Sequence, residues 1–171
     1  RPHAAQPPPA GQGERRPSQG HGRPGLRRGR DTDADRLDAR VLGTAGQCFA
    51  WFARDLFKGI AHIDEAIAIN PNHAHAFMQS GTVRIMIGDT RTAIDHLNRG
   101  LRLSPRDSRS YASFHALAMA YLLQTELETA VHWAQRAVQH NPNYLPRWVA
   151  LAAGAALTGR HDEARKAAAH I

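Results

Sequence analysis

From Leu37 to the end of the chain, apolar residues recur three and four positions apart, the spacing that gathers them on one face of an α-helix. The clearest two such stretches are His73–Ile87 and Thr90–Leu103. The first carries Phe77, Gly81 and Ile85 on one stripe, and the second carries Ala93, Leu97 and Leu101. Gly88-Asp89 supplies the turn between them. Ser104-Pro105 ends the pair, because proline has no N–H for the helical ladder and disfavours a helical residue before it. The same reading predicts helices from Ser108 or Ser110 to Gln124, over Leu127–Gln139 with a stop at Asn141-Pro142, over Leu145–Thr158, and, past a turn at Gly159-Arg160, over His161–His170. Upstream, Leu56–Ile69 stops at Asn70-Pro71. A first helix runs from an N-cap at Asp31 or Asp33 to about Arg54, with Leu37, Val41, Ala45 and Phe49 as its apolar stripe, followed by Trp51 and Phe52. Gly43 and Gly46, each costing about 1 kcal/mol relative to alanine, make it the weakest of the set. No stretch alternates with period two long enough to compete as a strand, so the predicted class is all-α.

The pattern also repeats. Pro71 and Pro105 are 34 residues apart, and Pro105 and Pro142 are 37 apart. Aligned on these prolines, three first helices open with an aromatic residue, Phe77, Phe114 or Trp148. Three residues on stands Ser80, Leu117 or Leu151, then a small residue, Gly81, Ala118 or Ala152. The second helices hold Ala93, Ala130 or Ala164, with Gly100 and Ala137 seven residues later. Small residues are needed where two helix axes cross closely, and large ones fill the holes between successive hairpins. A single hairpin leaves an apolar face open, which stacking closes.

This arrangement resembles the tetratricopeptide repeat (TPR), whose signature is W-x2-L-G-x2-Y, A-x3-F and a closing proline at a period of about 34 residues. Phe114-x2-Leu117-Ala118-x2-Tyr121 with Ala130, Ala137 and Pro142 is the best copy, followed by Phe77-x2-Ser80-Gly81 with Ala93, Leu97 and Pro105. The resemblance implies tandem helix-turn-helix units in a right-handed superhelical array over 33–171. The units are a degenerate repeat at 33–72 (Gly43 for the aromatic, Gly59 for the small alanine), repeats at 73–107 and 108–143, and a truncated repeat at 144–171. More narrowly, residues 93–107 and 130–165 resemble the tetratricopeptide region of bacterial class III adenylate cyclases and related signalling proteins. That implies the regulatory or docking part of a larger protein. The start at Arg1, and the end at Ile171 inside a helical pattern, agree with a fragment.

Charge separates the chain into two parts. Of the net +7, +6 sits in residues 1–30, a stretch rich in Pro, Gly and Arg with Leu26 as its sole sizeable aliphatic; the rest is nearly neutral. Such a segment buries too little apolar surface to offset ordering, so 1–32 is predicted to be a disordered tail. A linker is its plainest reading. An arginine-rich arm, a proline-rich ligand at Pro7-Pro8-Pro9, and a misassigned start in a GC-rich genome are alternatives. A near-neutral body argues against nucleic acid as the principal partner, and an RNA-binding helical repeat is the second reading. A single cysteine, no run near the ~20 apolar residues of a membrane span and no signal segment predict a cytoplasmic protein.

Catalytic and cofactor motifs are absent from the sequence. No H-E-x-x-H, C-x-x-C, G-x-S-x-G or phosphate loop occurs. The eleven histidines have no metal-ligand spacing: His73 and His75 point apart, and His62, His96 and His132 are expected on outer faces. Cys48, amid Gly46, Phe49 and Phe52, reads as a buried, inert thiol. The expectation is a non-catalytic interaction scaffold without cofactor. Transferred by resemblance, the concave lining would be His75, Met78, Thr82, Ile85 and Met86, then Ala112, His115, Met119, Leu122 and Leu123, then Val149, Ala153, Ala156 and Leu157. These are not the Lys, Arg and Asn that grip acidic C-termini. An apolar groove with adaptable methionines suits an apolar or amphipathic segment of a partner, of the parent protein, or of a second copy.

Overall fold

The computed structural model describes residues 33–171, so the readings attached to residues 1–32 lie outside the described residues. Eight helices follow in order: α1 (Asp33–Trp51), α2 (Leu56–Ile69), α3 (Ala74–Met86), α4 (Thr90–Leu103), α5 (Ser110–Leu123), α6 (Leu127–His140), α7 (Leu145–Leu157) and α8 (His161–Ala168). No strand occurs among the described residues. Each odd-numbered helix packs on the even-numbered one that follows, and each pair stacks on the next. The first helices pack backbone-close in succession, α1 to α3 to α5 to α7, whereas the second helices stand further apart and meet through long side chains, as Gln135 of α6 and Glu163 of α8 do. The first helices therefore occupy the shorter, inner arc of a TPR-like array. Its core is a chain of small clusters between neighbours, such as Ile63 with Val83 and Ala50, Leu97 with Leu117, and Val131 with Leu151.

Local chemistry sets the boundaries. Every turn inside a hairpin holds one residue of left-handed backbone: Arg54 (φ 56), Gly88 (φ 80), Thr125 (φ 59) and Gly159 (φ 75). α1 consequently ends at Trp51, before Arg54, and the Asp55 N–H donates back to the Phe49 carbonyl. Side chains then cap the next helix: Asp55 accepts from Lys58 N–H, and Asp89 from Thr92 N–H. Between hairpins, Asn70 and Asn141 each accept from the N–H two residues on, folding Asn-Pro-Asn into a tight turn.

Three expectations need correction. The buried face of α1 is Ala39, Gly43, Gly46 and Ala50, while Leu37 and Val41 are exposed. The glycines are the contact surface: a Cβ on Gly59 would stand 2.6 Å from the Gly46 carbonyl oxygen, so α1 and α2 cross backbone to backbone. Cys48 lies on the opposite side and is exposed. His96 is not on an outer face. It sits half-buried between α3 and α4, its Nδ1 2.8 Å from Ser80 Oγ and its ring edge-on to Phe77. Ser80 also accepts from Arg84, which reaches α2 through Asp64 (2.8 and 3.0 Å) and the next turn through Asp89 (3.5 Å).

Candidate protein-binding face

The inner arc is built from α1, α3, α5 and α7, whose last residues Trp51, Met86, Leu123 and Leu157 are equivalent to one another. Of the fourteen expected lining residues, Met86, Ala112, Leu123, Val149, Ala153, Ala156 and Leu157 are exposed. His75, Thr82, Ile85, His115, Met119 and Leu122 are half-buried, and Met78 is buried. Met78 is covered because α4 carries Gly100 there; a Cβ on that glycine would lie 2.8 Å from Met78 Cγ. Ile85 packs against the Leu97–Leu117 cluster, Met119 against Val131 and Leu151, and Leu122 approaches Gly154 of α7. These half-buried residues join one hairpin to the next.

At the C-terminal ends of the first helices, one position is exposed and large in every repeat: Trp51 (50% exposed), Met86 (48%), Leu123 (56%) and Leu157 (63%), each the last residue of its helix. Sequence reasoning missed Trp51 as a member, because the first repeat lacks the aromatic residue that sets the register. The turn after α1 holds one residue more than the other hairpin turns, so the offset from Met86 is 35 rather than the 34 of the prolines. Phe52, one residue later, lies in the turn at the register of Ile87, and Cys48 takes the register of Val83.

At the N-terminal ends the face is cationic and aromatic. Arg147 is fully buried between the rings of Tyr111 and Tyr144, 4.1 and 4.6 Å from their centroids, and donates to the Ala137 carbonyl at 3.4 Å. His115 lies edge-on to Tyr144. Burial, and then the Arg147 charge, hold the His115 imidazole below its ordinary pKa, so it is neutral at pH 7. Further along, Arg40, Thr44, His73, His75 and Arg109 bound a cavity of about 310 Å³ between α1, α3 and the start of α5. No group of three or more His, Cys, Asp or Glu side chains is arranged to hold a metal ion among the described residues. No described helix is long and apolar enough to cross a membrane.

No protein-family model matches this sequence, and no curated protein matches it. Solved structures do resemble the fold. A double mutant of MamA from strain RS-1 is 22% identical with a TM-score of 0.67, over 78% of this chain and 72% of that one. The first TPR of Spaghetti (RPAP3), bound to an HSP90 peptide, is 15% identical with a TM-score of 0.65, over 72% and 94%. YrrB, a TPR protein with an unusual peptide-binding site, is 21% identical with a TM-score of 0.65, over 81% and 68%. At these identities the likeness is one of fold: the array is of the tetratricopeptide type.

Proposed function

We propose that this chain is a non-catalytic interaction scaffold whose inner arc binds an amphipathic segment of a protein partner. The observation that carries this reading is the ladder Trp51, Met86, Leu123 and Leu157, four large apolar side chains in register and open to solvent. Single exposed hydrophobes are ordinary; four at one repeat position along a continuous face are the pattern of an anchor row. Peptide binding by the RPAP3 and YrrB structures supports the same use of the fold. The resemblance of residues 93–107 and 130–165 to cyclase-associated arrays favours a docking role within a larger bacterial signalling protein, a context that the adjoining reading frame tests directly.

Peptides selected from a displayed library on the full chain should be amphipathic. The Leu123→Glu and Leu157→Glu double variant should weaken them at least about tenfold in calorimetric titration, about 1.4 kcal/mol. Helicity by circular dichroism should stay at the unmodified level, since both side chains are more than half exposed. Undiminished binding by this variant would sink the reading. Met119 and Leu122 are unsuitable for the purpose, because they also hold adjacent hairpins together.

A further inference from the structure

The inner arc differs at its two edges. The C-terminal ends of the first helices carry the apolar ladder, whereas the N-terminal ends of α3 and α5 converge with α1 on a cavity lined by Arg40, Thr44, His73, His75 and Arg109. We propose that this cavity is an oxyanion site, filled by a carboxylate on the acidic edge of the amphipathic partner segment; the source of that carboxylate, though not the site itself, rests on the function proposed above.

The groups facing the cavity come from three elements. Arg40 is contributed by α1, His73 and His75 by the start of α3, and Arg109, with Asp107, by the turn into α5. Asp107 is the one acidic group among them. Its carboxylate accepts from the Arg109 backbone N–H at 2.8 Å and from the Arg109 guanidinium at 3.4 Å, which leaves Arg40 without a carboxylate within the cluster. His73 and Arg109 are the N-cap residues of α3 and α5, so two helix N-termini add partial positive charge at the same place. His73 Nδ1 accepts from the Ala76 N–H at 2.9 Å; the neutral ring therefore carries its proton on Nε2, a ready donor. The cavity thus holds guanidinium and imidazole donors with an excess of positive charge, the composition that recognises an oxyanion.

Protonation follows from the same geometry. Burial lowers the pKa of His75 first, then repulsion from Arg109, His73 and Arg40, with Asp107 opposing; burial, and then Arg40, lower that of His73. An anion in the cavity relieves that repulsion, so binding takes up protons and strengthens as pH falls from 7.5 towards 6.

Imidazole resonances of the full chain, titrated with N-acetylglutamate, N-acetylglutaminamide, inorganic phosphate and sodium chloride at matched ionic strength, test this. The expected result is that N-acetylglutamate shifts His73 and His75 saturably, with apparent pKa values raised by about half a unit or more, while His62 and His132 stay put. N-Acetylglutaminamide, which has no carboxylate, and chloride should do neither. The Arg40→Gln and Arg109→Gln double variant, with helicity checked by circular dichroism, should weaken the effect about tenfold. Equal shifts with chloride, or an unaltered response in the double variant, would overturn the site. Saturable binding of phosphate without N-acetylglutamate would overturn the carboxylate assignment. Because these probes do not reach the apolar ladder, failure here is distinct from failure of the peptide-binding reading, which the Leu123 and Leu157 substitutions address.

Discussion

The hairpins α3–α4 and α5–α6 share one backbone plan and are held together by different chemistry. Position by position, Phe77, Ser80, Gly81, Arg84, His96, Leu97 and Arg99 correspond to Phe114, Leu117, Ala118, Tyr121, Trp133, Ala134 and Arg136. Both keep an arginine over the first-helix phenylalanine, with guanidinium-to-ring distances of 4.4 Å in each. Beneath it the two diverge. In α5–α6, Phe114 stacks on Trp133 at 5.7 Å and Leu117 is fully buried. In α3–α4 the smaller His96 takes the tryptophan's place, and Ser80, Arg84 and Asp64 continue a polar chain from α4 back to α2. The large side chain also changes helix: Leu97 on α4 fills the space over Gly81, whereas Ala134 faces Ala118. What the TPR plan conserves is volume summed across the crossing, and a pair of complementary substitutions satisfies it as well as the signature residues do.

The sharpest way to break that complementarity is at Gly81. A Cβ there would run into Leu97 Cγ and stand 2.9 Å from the Ala93 carbonyl oxygen, so Gly81→Ala should destabilise the array by about 3 kcal/mol in urea unfolding. Ala118→Gly, at the equivalent place, should cost only about 1 kcal/mol, through helix propensity. Next in size is Arg84, whose side chain is 11% exposed. Arg84→Met should cost about 2 kcal/mol by removing the charge-assisted bonds to Ser80, which keeps His96, and to Asp64, which at 45% exposed recovers water in part. Tyr121→Phe in the neighbouring hairpin should cost less than about 0.5 kcal/mol.

The smallest effect is that of pH. Burial, followed by the Arg84 charge, lowers the pKa of His96, so the folded state keeps it neutral. Its contribution is complete above the unfolded value of 6.5 and is lost as pH falls from there through the lowered folded value, because the unfolded chain binds the proton first. His73, His75 and His115 act with the same sign. The urea midpoint should therefore fall between pH 7 and pH 5. His96→Gln should make that slope shallower without abolishing it; an unchanged slope would show that the polar chain does not sense protonation.

Much of this was legible in the chain itself. Proline spacing, the aromatic–small–small register and the Gly88 and Gly159 turns specify hairpins and their stacking, because each depends on a local backbone property or on helical period. Less legible was which face of α1 is buried. Hydrophobicity points to Leu37 and Val41, but two glycines permit a backbone contact that no larger residue allows, and that contact turns Cys48 outwards. Nor does helical period reveal that Met78 is covered by α4, since coverage depends on Gly100 some twenty residues away.

The sequence by itself determined the all-α class and the repeat. The tertiary structure alone decided which of the expected lining positions are open, that Trp51 joins the exposed row, that His96 belongs to a polar chain, and that Arg40, His73, His75 and Arg109 share one cavity. The physical reason is range. Helix and turn formation are set by residues within one or two turns of each other, whereas exposure and charge clustering are set by whichever side chain the next hairpin brings alongside.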